Sequence, residues 1–163
     1  MPGPILVAYD GSEASRRALD FAVDLAAGQN RKILLCTVVP ATLRHFALTE
    51  LILPGIDMSK LLQPGKFQES ARERLEAVAT DIRKRGMLVV PVVRAGDAAD
   101  EIVAAAKEHD VDQVVLGYMS YEHKLPYGIG SVAEKVLRTC DRTVTVVRGK
   151  SAPGTAATKG PKA

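Results

Sequence analysis

The chain is short of most residue patterns that announce chemistry. Only two cysteines, Cys36 and Cys140, stand in 163 residues. They lack metal-ligand spacing and sit beside apolar neighbours, so both read as buried free thiols in a reducing compartment. His45, His109 and His123 are scattered, with no carboxylate or cysteine at ligand spacing, so no histidine-built metal site is expected. There is no G-x-x-x-x-G-K-[ST], which excludes a P-loop, and no G-x-S-x-G nucleophile elbow. No apolar run approaches the roughly 18 residues needed to cross a bilayer. The start, Met1-Pro2-Gly3-Pro4, has no basic leader region, so a cytoplasmic protein with no membrane partner is expected. Aromatic residues make up 4% and the net charge is +3, much of it in the C-terminal tail. Without a basic stripe interleaved with aromatics, nucleic acid is not an expected partner.

What is present is the pattern of one α/β domain. Hydrophobic residues at 47% and charged residues at 25% suit a globular chain of this length. Residues 1–149 read as the domain. The remainder, 150–163, is Ser, Gly, Ala, Pro, Thr and Lys with no apolar face, and reads as a disordered tail. Ile5 to Tyr9, Ile33 to Val39, Leu88 to Val93, Val111 to Gly117 and Thr143 to Val147 are short apolar runs of the kind buried in a parallel sheet. Amphipathic segments lie between them. In the first, Ala18, Phe21, Ala22, Leu25 and Ala26 form the apolar face, Ser12 is the N-cap and Gly28 the stop. A second helical face runs through Phe67, Ala71, Leu75, Val78, Ala79 and Ile82, and Asp97 can cap a third helix. Pro91 places the third strand at a sheet edge, because a central ladder needs its missing N–H. From Ala41 to Gly65 the pattern is lost. A helical turn near Leu43–Leu51 fits as well as a loop, and a connection of this length suits a lid, a binding loop or a partner surface.

In such folds ligands bind beyond the carboxyl ends of the strands, where strand order reverses. Asp10, Val39 and Gly117 stand at such ends. Asp10 can accept from a ligand, or serve as a turn residue in Asp10-Gly11. A receiver domain would need an aspartate after the third strand, where this chain has Val92-Val93-Arg94-Ala95. The richest stretch is Val114 to Leu137, a strand, a glycine-punctuated loop and a helix opening at Gly130-Ser131. A helix start facing a cleft offers free N–H groups and a positive dipole end to a phosphate. Ser131-x-x-Glu134 has the form of a capping box, a structural use of the same serine. Gly128-Ile129-Gly130-Ser131-Val132-Ala133 fits G-x-G-x-x-A, but eleven residues beyond Gly117, too late for a dinucleotide turn. His123 and Lys124 lie in the glycine loop, where phosphate oxygens would attract them.

Ile5-Leu6-Val7-Ala8-Tyr9-Asp10-Gly11-Ser12, Leu35-Cys36-Thr37-Val38-Val39-Pro40 and the late glycine loop together resemble the universal stress protein family over roughly Pro4 to Arg148. The resemblance implies an open five-stranded parallel sheet in an order like 3-2-1-4-5 with helices on both faces, a Rossmann-like adenine-nucleotide-binding fold. It also implies a homodimer through the last strand, Thr143 to Val147. The ATP-binding branch carries G-x-x-G, nine residues, then G-[ST]. Here the marker reads Gly117-Tyr118-Met119-Ser120, nine residues, then Gly130-Ser131, with Ser120 in place of the second glycine. If the family pocket carries over, Asp10 and the Val38 backbone contact adenine, Gly117 approaches ribose, and Ser120, Gly130, Ser131 and Val132 hold the phosphates of ATP, accompanied by Mg. No positioned base or nucleophile stands in the sequence, which favours binding over turnover, with slow ATP hydrolysis as the most activity expected. Three functions follow: an ATP-binding regulatory or stress-response homodimer, a dimeric protein-interaction module of the same family that binds no nucleotide, and a slow ATP- or AMP-transferring enzyme of the wider adenine-binding α/β group, whose phosphate-gripping motifs the sequence lacks.

Overall fold

The computed structural model describes residues 2–39, 65–118 and 129–149. The expected Leu43–Leu51 turn and the expected disordered tail lie outside them. Strand and helix alternate: β1 (Ile5–Ala8), α1 (Glu13–Gln29), β2 (Ile33–Val39), α2 (Lys66–Arg83), β3 (Val89–Ala95), α3 (Ala98–Glu108), β4 (Gln113–Gly117), α4 (Ser131–Thr139) and β5 (Thr143–Val147). The strands form one sheet in the order β3-β2-β1-β4-β5, every pair parallel. The open five-stranded sheet anticipated from the sequence is therefore the observed one.

Because side chains alternate across a strand, each apolar run feeds two cores. Ile5, Val7, Ile33, Leu35 and Val115 pack under α1 and α2. Leu6, Leu34, Cys36, Val114 and Leu116 pack under α3 and α4. Burying an aliphatic side chain of this size contributes roughly 1.5–3 kcal/mol, which is why the two-faced strands dominate the fold. Helix α1 lies on the sheet through Ala14, Ala18, Leu19, Ala22, Val23 and Ala26. The stripe is centred on small residues that let the backbone come close, so Phe21 falls at its margin and is 42% exposed, against the sequence expectation. Gly28 does not stop this helix either. Asn30 ends it in the left-handed region at φ 51°, its N–H donating to the Ala26 carbonyl, a conformation that asparagine tolerates and that leaves Gly28 helical. The two predicted N-caps form: Ser12 Oγ accepts from Ser15 N–H at 3.1 Å and Asp97 Oδ1 from Asp100 N–H at 3.1 Å.

The two sheet edges differ. Along β3, alternate residues turn their backbone groups to β2, as the bonds Ile33 N–H to Leu88 C=O and Gly96 N–H to Val39 C=O show. Val89, Pro91, Val93 and Ala95 therefore face outward, and Pro91 has no N–H to present there. The Arg83 guanidinium, at the end of α2, donates to the outward Val89 carbonyl from Nε at 3.1 Å and Nη2 at 2.9 Å. This edge is blunted in two places. By the same alternation, starting from Tyr118 N–H to Val147 C=O, the β5 edge turns outward the backbone groups of Val144 and Val146.

Candidate functional site

Strand β1 is shorter than its neighbour β2, and a cleft opens where it leaves the sheet. Its last rung to β2 is Tyr9 N–H to Cys36 C=O at 2.8 Å. The next would join Val38 N–H to Tyr9 C=O, but the Thr37 hydroxyl donates to that carbonyl instead. Val38 thus turns an N–H donor and a C=O acceptor toward the gap, and neither meets a partner among the described residues. Adjacent donor and acceptor groups on an extended backbone suit the edge of a nucleobase.

The cleft has a volume of about 130 Å³, and its lining includes Asp10, Val38, Gly117, Gly130, Ser131 and Val132. Of the seven sequence-predicted site residues, these six meet in one place; Ser120 lies outside the described residues. Asp10 performs its turn role as well. Its Oδ1 accepts from Ser12 N–H at 2.8 Å, while Gly11 takes φ 81°. The lining also includes residues the sequence reading missed, among them Ala98 and Ile102 of α3, Cys36 and Tyr118. No local signal marks the α3 pair, because their approach depends on how α3 packs across the sheet. Ala8, Ile102 and Leu116 make the inner wall apolar.

Gly117 is glycine for reasons of space. A Cβ there would lie 2.7 Å from the Ala14 backbone carbon, so only glycine lets α1 cross the end of β4 this closely. Beyond it, Tyr118 joins three elements. Its N–H donates to Val147 C=O, its own carbonyl accepts from Gly130 N–H, both at 2.9 Å, and its ring lies under the Arg148 guanidinium at 4.7 Å. The start of α4 is therefore tied to the ends of β4 and β5.

The predicted capping box does not form. Gly130 is the N-cap, extended at φ −60° and ψ 147°, with no side-chain cap, and Ser131 is already helical. Glu134 pairs with Arg138 at 2.9 Å rather than reaching back. With the Gly130 N–H engaged, the N–H groups of Ser131, Val132 and Ala133 have no acceptor within the helix, and all three residues line the cleft. Asp97, the N-cap of α3, and Asp100 in its first turn hold Lys135 of α4, at 3.0 and 2.8 Å. The Asp100 N–H and then Lys135 hold the Asp97 carboxyl below the usual carboxylate range, and the two carboxylates, Asp100 first, raise the Lys135 ammonium.

Cys36 forms part of the cleft wall and burial pushes its thiol up to about 12, so it stays protonated and unreactive at neutral pH. It is a buried free thiol as anticipated, whereas Cys140 is only half-buried. Among the described residues no group of three or more His, Cys, Asp or Glu side chains gathers to hold a metal, and no helix is long and apolar enough to cross a membrane.

The same architecture recurs in known proteins. The solved structure of protein MJ0577 matches with a TM-score of 0.75 at 24% identity, covering 93% of this chain and 99% of the other. The universal stress protein from Archaeoglobus fulgidus in complex with dAMP matches with a TM-score of 0.58 at 24% identity, covering 88% and 96%. In sequence, the universal stress protein YxiE of Bacillus subtilis is 30% identical over 152 residues, 88% of this chain and 97% of its own. The model of the universal stress protein family matches residues 1–148, and the chain belongs to that family.

Proposed function

We propose that this protein is a cytoplasmic, homodimeric stress-response module that binds ATP in the cleft beyond β1, β2 and β4. The observation that carries the reading is the uncapped start of α4, which opens on the same cleft as the partnerless backbone edge of Val38. One end offers hydrogen-bond complementarity to a base and the other three N–H groups and a dipole to phosphates, with the apolar wall between. An adenine nucleotide bound to a protein of this fold, the dAMP complex from Archaeoglobus fulgidus, supports the choice of base. Asp10 and Val38 take adenine, Gly117 lies beside the ribose, and Ser131 and Val132 take phosphates together with Gly130 and Ser120. Since no group of three or more His, Cys, Asp or Glu side chains gathers to hold a metal among the described residues, a divalent cation such as Mg would arrive on the phosphates. Residues 1–149 form the binding domain. The serine at position 120, where the ATP-binding pattern has glycine, favours the second reading, a dimeric interaction module without nucleotide.

Protein purified without added nucleotide, then denatured, is expected to release ATP in near-stoichiometric amount on chromatography. Stripped protein is expected to unfold at higher temperature with Mg-ATP, since ligand at a hundredfold excess over Kd adds about 2.7 kcal/mol. Absence of both the release and the shift would reject ATP binding in favour of the second reading.

Homodimerisation through β5 is supported by the asymmetry of the edges. Pro91 and Arg83 obstruct β3, whereas β5 presents Val144 and Val146 to a second copy. Val146→Pro removes an outward N–H and leaves the ladder to β4 intact, so it is expected to yield a folded monomer in sedimentation. A dimer of unchanged strength would move the interface elsewhere.

A further inference from the structure

The proposed phosphate end of the cleft has an unfavourable neighbour. Asp97 and Asp100 stand at the start of α3, and Ala98 between them lines the cleft. Unpaired, these carboxylates would repel a polyanion at the start of α4. Two other carboxylates of α3 and α4 already have other cations: Glu101 pairs with Arg94 at 2.9 Å, and Glu134 with Arg138. Among the described residues, Lys135 alone forms ion pairs with Asp97 and Asp100. It follows Ser131 by four residues on the same face of α4, and a helical side chain leans toward the helix N-terminus. Lys135 therefore stands one turn along α4 from Ser131, with its side chain directed back toward the helix start.

We infer that Lys135 is a positioning residue for nucleotide phosphates: by holding Asp97 and Asp100 in ion pairs it cancels their charge and braces α4 against α3, so that the helix start accepts an anion. The inference rests on the nucleotide reading of the cleft. Lys135 acts on the phosphates through the two aspartates and makes no demand on the base. Its effect therefore scales with the charge of the ligand and is screened by salt over a Debye length of about 8 Å at physiological ionic strength.

Calorimetric titration of ATP and of adenosine into wild type, Lys135→Ala and the triple variant Lys135→Ala/Asp97→Asn/Asp100→Asn tests this. Asparagine at position 97 still caps α3, and thermal unfolding checks that each variant is folded. Lys135→Ala is expected to weaken ATP about fivefold at low salt while adenosine binds as before. The loss should shrink in 0.5 M salt, and the triple variant should recover ATP affinity. Equal loss for both ligands, no loss in Lys135→Ala, or no recovery in the triple variant would overturn the inference, the last by making Lys135 a direct phosphate ligand. A wild type that binds neither ligand would overturn the nucleotide reading, and this inference with it. A wild type that binds ATP beside an unaffected Lys135→Ala variant overturns this inference alone.

Discussion

Valine in place of Gly117 is expected to destabilise the protein by about 3 kcal/mol, at the upper end of what overpacking a tight contact costs. The first added carbon would lie 2.7 Å from the Ala14 backbone carbon and 2.8 Å from its Cβ and carbonyl oxygen. Those atoms belong to the first turn of α1, anchored by the Ser12 cap, and no flexible side-chain end is there to give way. Either α1 lifts from β4 or the end of β4 bends out of the sheet, and both damage the core under α1. Chemical denaturation should show a lower midpoint with an unchanged slope. Gly117→Ala should show the same effect in smaller measure. A valine variant as stable as wild type would mean that α1 does not cross the strand this closely.

The contrasting substitution is Gly130→Val, for which loss of nucleotide binding with a retained fold is expected. Gly130 has φ −60° and ψ 147°, values that any residue adopts, so no left-handed strain arises. Its N–H bond to Tyr118 uses only the backbone and survives the change. Valine is a poorer N-cap than glycine, which costs about 1 kcal/mol or less. The branched side chain is placed on a residue that lines the cleft, where the proposed phosphates meet the start of α4. ATP affinity should fall at least about a hundredfold, the scale expected when several charge-assisted hydrogen bonds are lost together. The thermal midpoint without ligand should stay within a few degrees of wild type. Undiminished ATP affinity would place the phosphates elsewhere. The Gly117 variant thus reads chiefly packing and the Gly130 variant the ligand, although both glycines line the cleft.

Much of this was legible along the chain because the signals are local. Short runs rich in apolar and β-branched residues mark all five strands, and Pro91 marks the edge strand, since a missing N–H is tolerated only where no neighbour needs it. The caps at Ser12 and Asp97 are visible as well, each depending on a side chain and an N–H three residues apart. Where the reading failed, two local signals competed and packing chose between them. Ser131 and Glu134 have the spacing of a capping box, yet Gly130 bonds to Tyr118 and starts the helix one residue earlier. Gly28 is a good stop signal, yet the helix continues to Asn30 because Ala26 packs on the sheet and Asn30 can adopt the left-handed turn.

The sequence by itself determined the alternating elements, the parallel sheet and the family, since strand and helix periods, turn residues and motif spacings are properties of neighbouring positions. It also marked Asp10, Gly117, Gly130 and Ser131 as residues standing at strand and helix ends. Only the tertiary structure decided what faces what. The free backbone edge at Val38 exists because β1 stops one rung before β2. Gly117 is constrained because α1 crosses it at Ala14, and Lys135 reaches the aspartates of α3 because two helix starts converge on one cleft. These are relations between segments far apart in the chain, settled by ladder register and helix packing, and no local pattern encodes them.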